Sequence, residues 1–125
     1  MNLVQIFSIL IIHWFADFVL QTDEQAKGKS KNWFDLLNHT INYSCIWAIS
    51  IIFLFPNHWK AYQYVTGSII FCLITFICHT VTDYFTSRLN SRLWEQKKVH
   101  NFFVLVGFDQ VLHYIQLFTT YYLLK

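Results

Sequence analysis

Three pairs of histidine and aspartate give this chain of 125 residues its chemistry. His13 precedes Asp17 by four residues, His79 precedes Asp83 by four, and Asp109 precedes His113 by four. On a helix that spacing puts both side chains on one face, about one turn apart, so the members of each pair point the same way. His39 adds a fourth imidazole, flanked by Asn38, Asn42 and Cys45. Imidazole and carboxylate together suit zinc, manganese or iron, and helix-bundle cores hold such ligand sets repeatedly. The chemistry to expect is coordination of a divalent transition metal by His13, Asp17, His39, His79, Asp83, Asp109 and His113, with the identity of the metal left open. A single pair of this kind in a membrane helix is more often a hydrogen bond between helices; three pairs and His39 tip the balance toward ligands. No H-E-x-x-H occurs, so the glutamate base of the usual zinc-protease helix is absent.

The elements that must position these residues follow from composition. Hydrophobic residues make up 55% of the chain, aromatics 20% and charged residues only 13%, with a mean hydropathy of +0.36. Soluble domains carry roughly a quarter charged residues, so much of this surface is not built for water. Three glycines and one proline exclude disordered and collagen-like classes. A net charge of +2, carried in small clusters, offers no nucleic-acid footprint. Four uncharged or nearly uncharged runs approach the roughly 20 residues that a hydrocarbon layer requires. They are Leu3 to Leu20, Leu36 to Phe55, Ala61 to Phe85 and Asn101 to Leu124, with connections of roughly 15, 5 and 15 residues. The expected fold is all-α, an integral membrane four-helix bundle forming one transmembrane domain over residues 1–125. The first run lacks a basic start and a small-x-small cleavage site and is expected to be a mature helix. Pro56-Asn57 is expected to make a tight hairpin. Cys45, Cys72 and Cys78 lie in apolar runs and read as small buried hydrophobes without disulfides. His58 and His100 fall at the edges of runs and read as interfacial.

Orientation follows from the basic residues. Lys27, Lys29, Lys31, Arg88, Arg92, Lys97 and Lys98 lie in the two long connections, and Lys60 and Lys125 on the opposite side. The positive-inside rule then makes the long connections cytoplasmic and puts both termini outside, in the cytoplasmic (inner) membrane. Trp33, Trp59 and Trp94 fall near run ends, where indoles favour the interface.

Asp17, Asp83 and Asp109 lie inside the runs, which contain no lysine or arginine. Each acid at mid-membrane costs roughly 2.5–3.5 kcal/mol on insertion scales. With no cation nearby in sequence, protonation, hydrogen bonding to histidine or a bound metal must offset that. Counting about 1.5 Å per residue along alternating helices places the ligand-type side chains in the cytoplasmic half, Asp109 and His113 reaching toward the midplane. Polar stripes extend the same faces: Cys72, Thr75, His79, Thr82, Asp83 and Thr86 in the third run, and Asp109, His113, Gln116 and Thr120 in the fourth.

In their order, H-x3-DF-x2-Q (His13 to Gln21), His39, H-x3-DY (His79 to Tyr84) and DQ-x2-H (Asp109 to His113) resemble the family catalogued as domain of unknown function 3307, small multi-pass membrane proteins of bacteria and their phages. The resemblance covers nearly the whole chain and implies a membrane fold with a histidine and aspartate core, without implying an activity. Members often carry a lysine about three residues after the third-span aspartate, where this chain has Thr86.

Several functions compete. An intramembrane metal-dependent hydrolase would act on a lipid or membrane-embedded substrate, with Asp17 as a candidate general base and the lysine loops facing anionic headgroups. Similar H-x3-D patterns occur in families described as membrane-bound metal-dependent hydrolases, which is analogy only. A proton or metal carrier would use the same side chains as steps, but the outer half offers only Gln116, Thr120 and Ser50. Haem ligation by two histidines leaves the acids unexplained. A structural or regulatory membrane protein, such as a phage lysis or exclusion factor, would use the polar core only to specify helix pairing. The expected partners are membrane lipids and no nucleic acid, with a homo-oligomer left open.

Overall fold

The computed structural model describes residues 1–56 and 58–125 and is all-helical. Helix α1, Leu3–Trp14, begins at Asn2, whose side chain accepts from the Gln5 N–H while the Gln5 side chain accepts from the Asn2 N–H. This reciprocal cap satisfies two otherwise orphaned donors. A π-helical turn, Phe15–Val19, continues α1. Helix α2, Asp23–Gly28, is a short helix inside the first connection, capped in the same way by Thr22 and Gln25. Helix α3, Trp33–Ser50, is capped by Asn32 and runs into a 3-10 turn, Ile51–Phe53. Helices α4, Ala61–Glu95, and α5, Val99–Leu124, complete the chain. The hairpin expected at Pro56-Asn57 includes Asn57, which lies outside the described residues.

Helix α4 corrects one expectation. The connection of about 15 residues expected between the third and fourth runs is only Gln96 to Lys98, because α4 continues ten residues past Phe85, from Thr86 to Glu95. Nothing in that extension stops a helix, for it contains no glycine or proline. The stop comes from the turn itself: Lys98 N–H donates to the Leu93 carbonyl and Lys97 N–H to that of Trp94, both at 2.9 Å. Lys97 takes the left-handed conformation, φ 57°, that usually falls to glycine at this point.

Three helical stretches are long and apolar enough to cross a membrane: Trp33–Phe53, Ala61–Glu95 and Val99–Leu124. The N-terminal stretch, Leu3–Val19, is apolar but shorter. At 35 residues α4 is about 52 Å long, well beyond a hydrocarbon layer of about 30 Å.

Helix α4 packs against α3 and α5, and α1 touches both α3 and α5. One end of the interior is apolar, built from Ile9, Trp47, Ile51, Phe71, Leu117 and Tyr121 among others. There Gln5 Nε2 and Tyr121 OH both donate to the Leu54 carbonyl, at 3.0 and 2.5 Å, and Tyr64 OH donates to that of Pro56 at 2.8 Å. The start of α1, the end of α3, the start of α4 and the end of α5 therefore meet at this end. Gly67 permits the close fit, since a Cβ there would lie 2.7 Å from the Trp59 ring.

The outer surface is the apolar one. Along α4, Val65, Ile69, Leu73, Ile77, Val81 and Phe85 recur every fourth residue and all are exposed, while Thr75, His79, Asp83 and Thr86 are buried. A helix that turns its aliphatic row outward and its polar row inward is the inverse of a helix in a water-soluble protein. The cysteines do not match the expectation of burial: all three are free, but Cys45 is exposed and Cys72 and Cys78 are half-buried. Cys72 packs at the edge of the core, and Cys45 is turned outward.

Candidate metal centre

Asp17 enters the interior through the π-helical turn. The Leu20 N–H reaches back five residues to the Phe15 carbonyl at 3.1 Å, and the widened turn buries Ala16 and Asp17 side by side. Such turns recur at functional sites because they re-aim side chains without ending the helix. His39 comes from the second turn of α3, and His79 and Asp83 from one face of α4.

Four ligand atoms from these three helices converge. His39 Nε2 lies 3.1 Å from His79 Nε2, 3.1 Å from Asp17 Oδ1 and 3.3 Å from Asp83 Oδ2. His79 Nε2 lies 3.5 Å from Asp17 Oδ1 and 3.7 Å from Asp83 Oδ2. All four residues are buried. A tetrahedral ion with ligands at about 2.0–2.2 Å separates neighbouring ligand atoms by about 3.3–3.6 Å, close to these five edges. His79 stacks on Tyr43 at 3.9 Å and on His113 at 4.2 Å, which fixes its plane, and its Nδ1 is buried without a hydrogen-bond partner.

A second group shares Asp17 and adds Asp109 and His113 from α5. His113 Nε2 lies 3.2 Å from Asp83 Oδ1 and 3.5 Å from Asp109 Oδ2. Thr86 donates to Asp109 Oδ1 at 2.5 Å, which sets a hydroxyl on a site carboxylate. Gln110 donates to Asp17 Oδ2 at 3.2 Å and to Asp109 Oδ2 at 3.1 Å.

His13, expected among the ligands, lies beside the cluster. Its Nδ1 is 2.8 Å from Tyr43 OH and its Nε2 is 2.7 Å from Gln110 Oε1, leaving Asp17 Oδ2 at 3.8 Å. Both ring nitrogens are thus engaged by neutral partners. His58 and His100 are exposed.

Lys29, distant from Asp83 in sequence, supplies a cation to the buried acids. Its Nζ lies 2.8 Å from Asp83 Oδ2, although the two residues are 54 apart in sequence. Helix α2 folds the connection beneath the cluster, and Gly28 lets it pass so close to α3 that a Cβ would collide with the Asp35 carboxylate. Burial pushes the Lys29 ammonium pKa down, but the charges of Asp83 and Asp17 outweigh it and hold the value above that of an ordinary lysine. With neutral imidazoles, Asp17, Asp83 and Asp109 against Lys29 leave the cluster two positive charges short of neutrality. One divalent cation, or two imidazolium ions, would close the gap.

A cavity of about 610 Å³ opens onto the cluster. Asp17, Asp109, Gln110 and Lys29 stand at its inner end; Phe18, Trp94, Phe102 and Phe103 form apolar walls, with Lys27, Lys31 and Glu95 also lining it. It lies between the first connection, the α4 extension and the start of α5.

Sequence spacing therefore pointed to the six residues of the two groups, and the structure adds Lys29, Gln110 and Tyr43, which no periodicity marked. No curated protein and no solved structure is similar to the chain. A family described as "Protein of unknown function (DUF3307)" matches residues 5–125, and the chain belongs to that family.

Proposed function

We propose that the protein is an integral four-helix bundle of the cytoplasmic membrane, with both termini outside, that uses a divalent transition metal to hydrolyse a lipid or other membrane-embedded substrate. The observation that carries this reading is the set of five near-tetrahedral edges among Asp17, His39, His79 and Asp83. Zinc, manganese and iron all accept such a mixed nitrogen and oxygen set. The exposed aliphatic rows and the charge-poor composition support the membrane setting. The cavity supports a substrate with an apolar portion, which would lie against Phe18, Trp94, Phe102 and Phe103 with its polar end at Asp109 and Gln110.

The ion would lower the pKa of water and polarise the substrate oxygen. Asp17 is placed to accept a proton, since one of its oxygens faces the histidines while the other faces Gln110, with the cavity beside it. Gln110 orients that carboxylate and ties it to His13, while Lys29 donates to Asp83.

Elemental analysis of the protein purified in detergent without chelators tests the reading. We expect near-stoichiometric zinc, manganese or iron in the wild type and its loss in Asp83→Asn and His79→Asn. If the wild type carries no metal and its melting temperature is unmoved by adding these ions, the cluster is a hydrogen-bonded core that specifies helix pairing, and the hydrolase reading falls.

A further inference from the structure

The two carboxylates at the centre of the cluster each divide their oxygens between two sets of ligands. Asp17 turns Oδ1 to His39 and His79 and Oδ2 toward Gln110 and the Asp109 side. Asp83 turns Oδ2 to the same two histidines and Oδ1 to His113, 3.2 Å away. In a single-ion site the far oxygen of a buried ligating carboxylate is met by hydrogen-bond donors; here the far side also holds His113 and Asp109, side chains that could themselves ligate an ion. We infer that the centre holds two divalent ions, the first on His39 and His79, the second on Asp109 and His113, with Asp17 and Asp83 bridging them, and that its ligand is a phosphate-bearing amphiphile. This rests on the metal-dependent reading above and deepens it, with one change: an Asp17 that gives both oxygens to ions is a ligand and not the proton acceptor.

The second position has the chemistry of a cation site. Gln110 Nε2 stands between Asp17 Oδ2 and Asp109 Oδ2, a hydrogen-bond donor where two carboxylates converge. Turned about its terminal bond, the same amide would offer an oxygen to an ion at that place. Asp109 is the least buried of the three acids, with its side chain 13% exposed, and it lines the cavity, so an ion entering there meets it first. Ions held about 3.5–4 Å apart by shared carboxylates clamp the attacking and leaving oxygens of a phosphoryl group.

Charge selects the ligand. Two dications added to Asp17, Asp83, Asp109 and Lys29 bring the cluster from a deficit of two positive charges to an excess of two. A phosphate monoester dianion matches that excess. Lys27 and Lys31 line the cavity leading to it, and the aromatic walls take the apolar part of the molecule.

Metal-stripped full-length protein in detergent, titrated with Mn²⁺ and followed by binding stoichiometry and electron paramagnetic resonance, tests the pair. Two ions per chain are expected, with the spectrum of an exchange-coupled pair that changes when inorganic phosphate is added. Asp109→Asn and His113→Ala should each bind a single ion with an uncoupled spectrum; either variant suffices if the other does not fold. A wild type saturating at one uncoupled ion overturns the pair and leaves the single-metal reading standing, whereas no bound ion overturns both. Two ions retained in both variants would place the second elsewhere and overturn the bridging assignment. A coupled spectrum indifferent to phosphate would overturn the ligand class.

Discussion

Lys29 carries more of the electrostatics than any other single side chain outside the ligand set. It is the one lysine or arginine paired with a buried carboxylate among the described residues. Removing one partner of such a pair leaves an uncompensated charge and typically costs about 3–5 kcal/mol. Lys29→Met is therefore expected to lower stability by about 3 kcal/mol, since the lysine side chain keeps 17% exposure and some water contact. Thermal melting in detergent measures this, and a melt within error of wild type would show that Asp83 does not depend on Lys29. Lys29 could not be read from the sequence as a site residue. Periodicity reports what shares a face of one helix, and Lys29 reaches Asp83 through a connection folded back on itself. His13 shows the complementary limit: its spacing to Asp17 predicts a shared face, which the structure has. The partners that occupy both its ring nitrogens, Tyr43 and Gln110, lie 30 and 97 residues away.

At the scale of elements, the inward stripes of α4 and α5 were legible because polar residues at three- and four-residue spacing leave the other faces to Ile, Leu, Val and Phe. The end of α4 was not. Hydropathy falls after Phe85, yet helix propensity does not, so the chain passes from apolar to amphipathic helix without a break. The π-helical turn at Phe15–Val19 was equally hidden, because no residue type encodes it. In the proposed orientation the turn at Lys97 and the Lys31 connection face the cytoplasm, and Lys60 faces outward. An impermeant thiol reagent applied to intact cells should modify Lys60→Cys and spare Lys31→Cys and Lys97→Cys; the reverse pattern would invert the topology. The native cysteines should first be replaced, as Cys45 is exposed.

Across the whole molecule, polarity is distributed unevenly along the helix axes. The ligand cluster and cavity occupy the side of the lysine-bearing connections. Ile9, Trp47, Phe71, Leu117 and Tyr121 fill the other, with Gln116 bonded to Thr75 and Thr120 between them. Among the described residues no histidine, acid or lysine is buried beyond the level of His13 and His113. The cavity is thus a cul-de-sac. A proton taken up at Asp17 or His113 is expected to return to the side it came from, because among the described residues the plug around Ile9, Trp47, Phe71 and Leu117 holds no buried acid, histidine or lysine. In the proposed membrane setting the protein is accordingly expected not to leak protons despite its polar centre. Proteoliposomes containing the protein should hold an imposed pH gradient as long as empty ones do, with or without metal. Faster decay of that gradient would mean that the plug conducts and would revive the carrier.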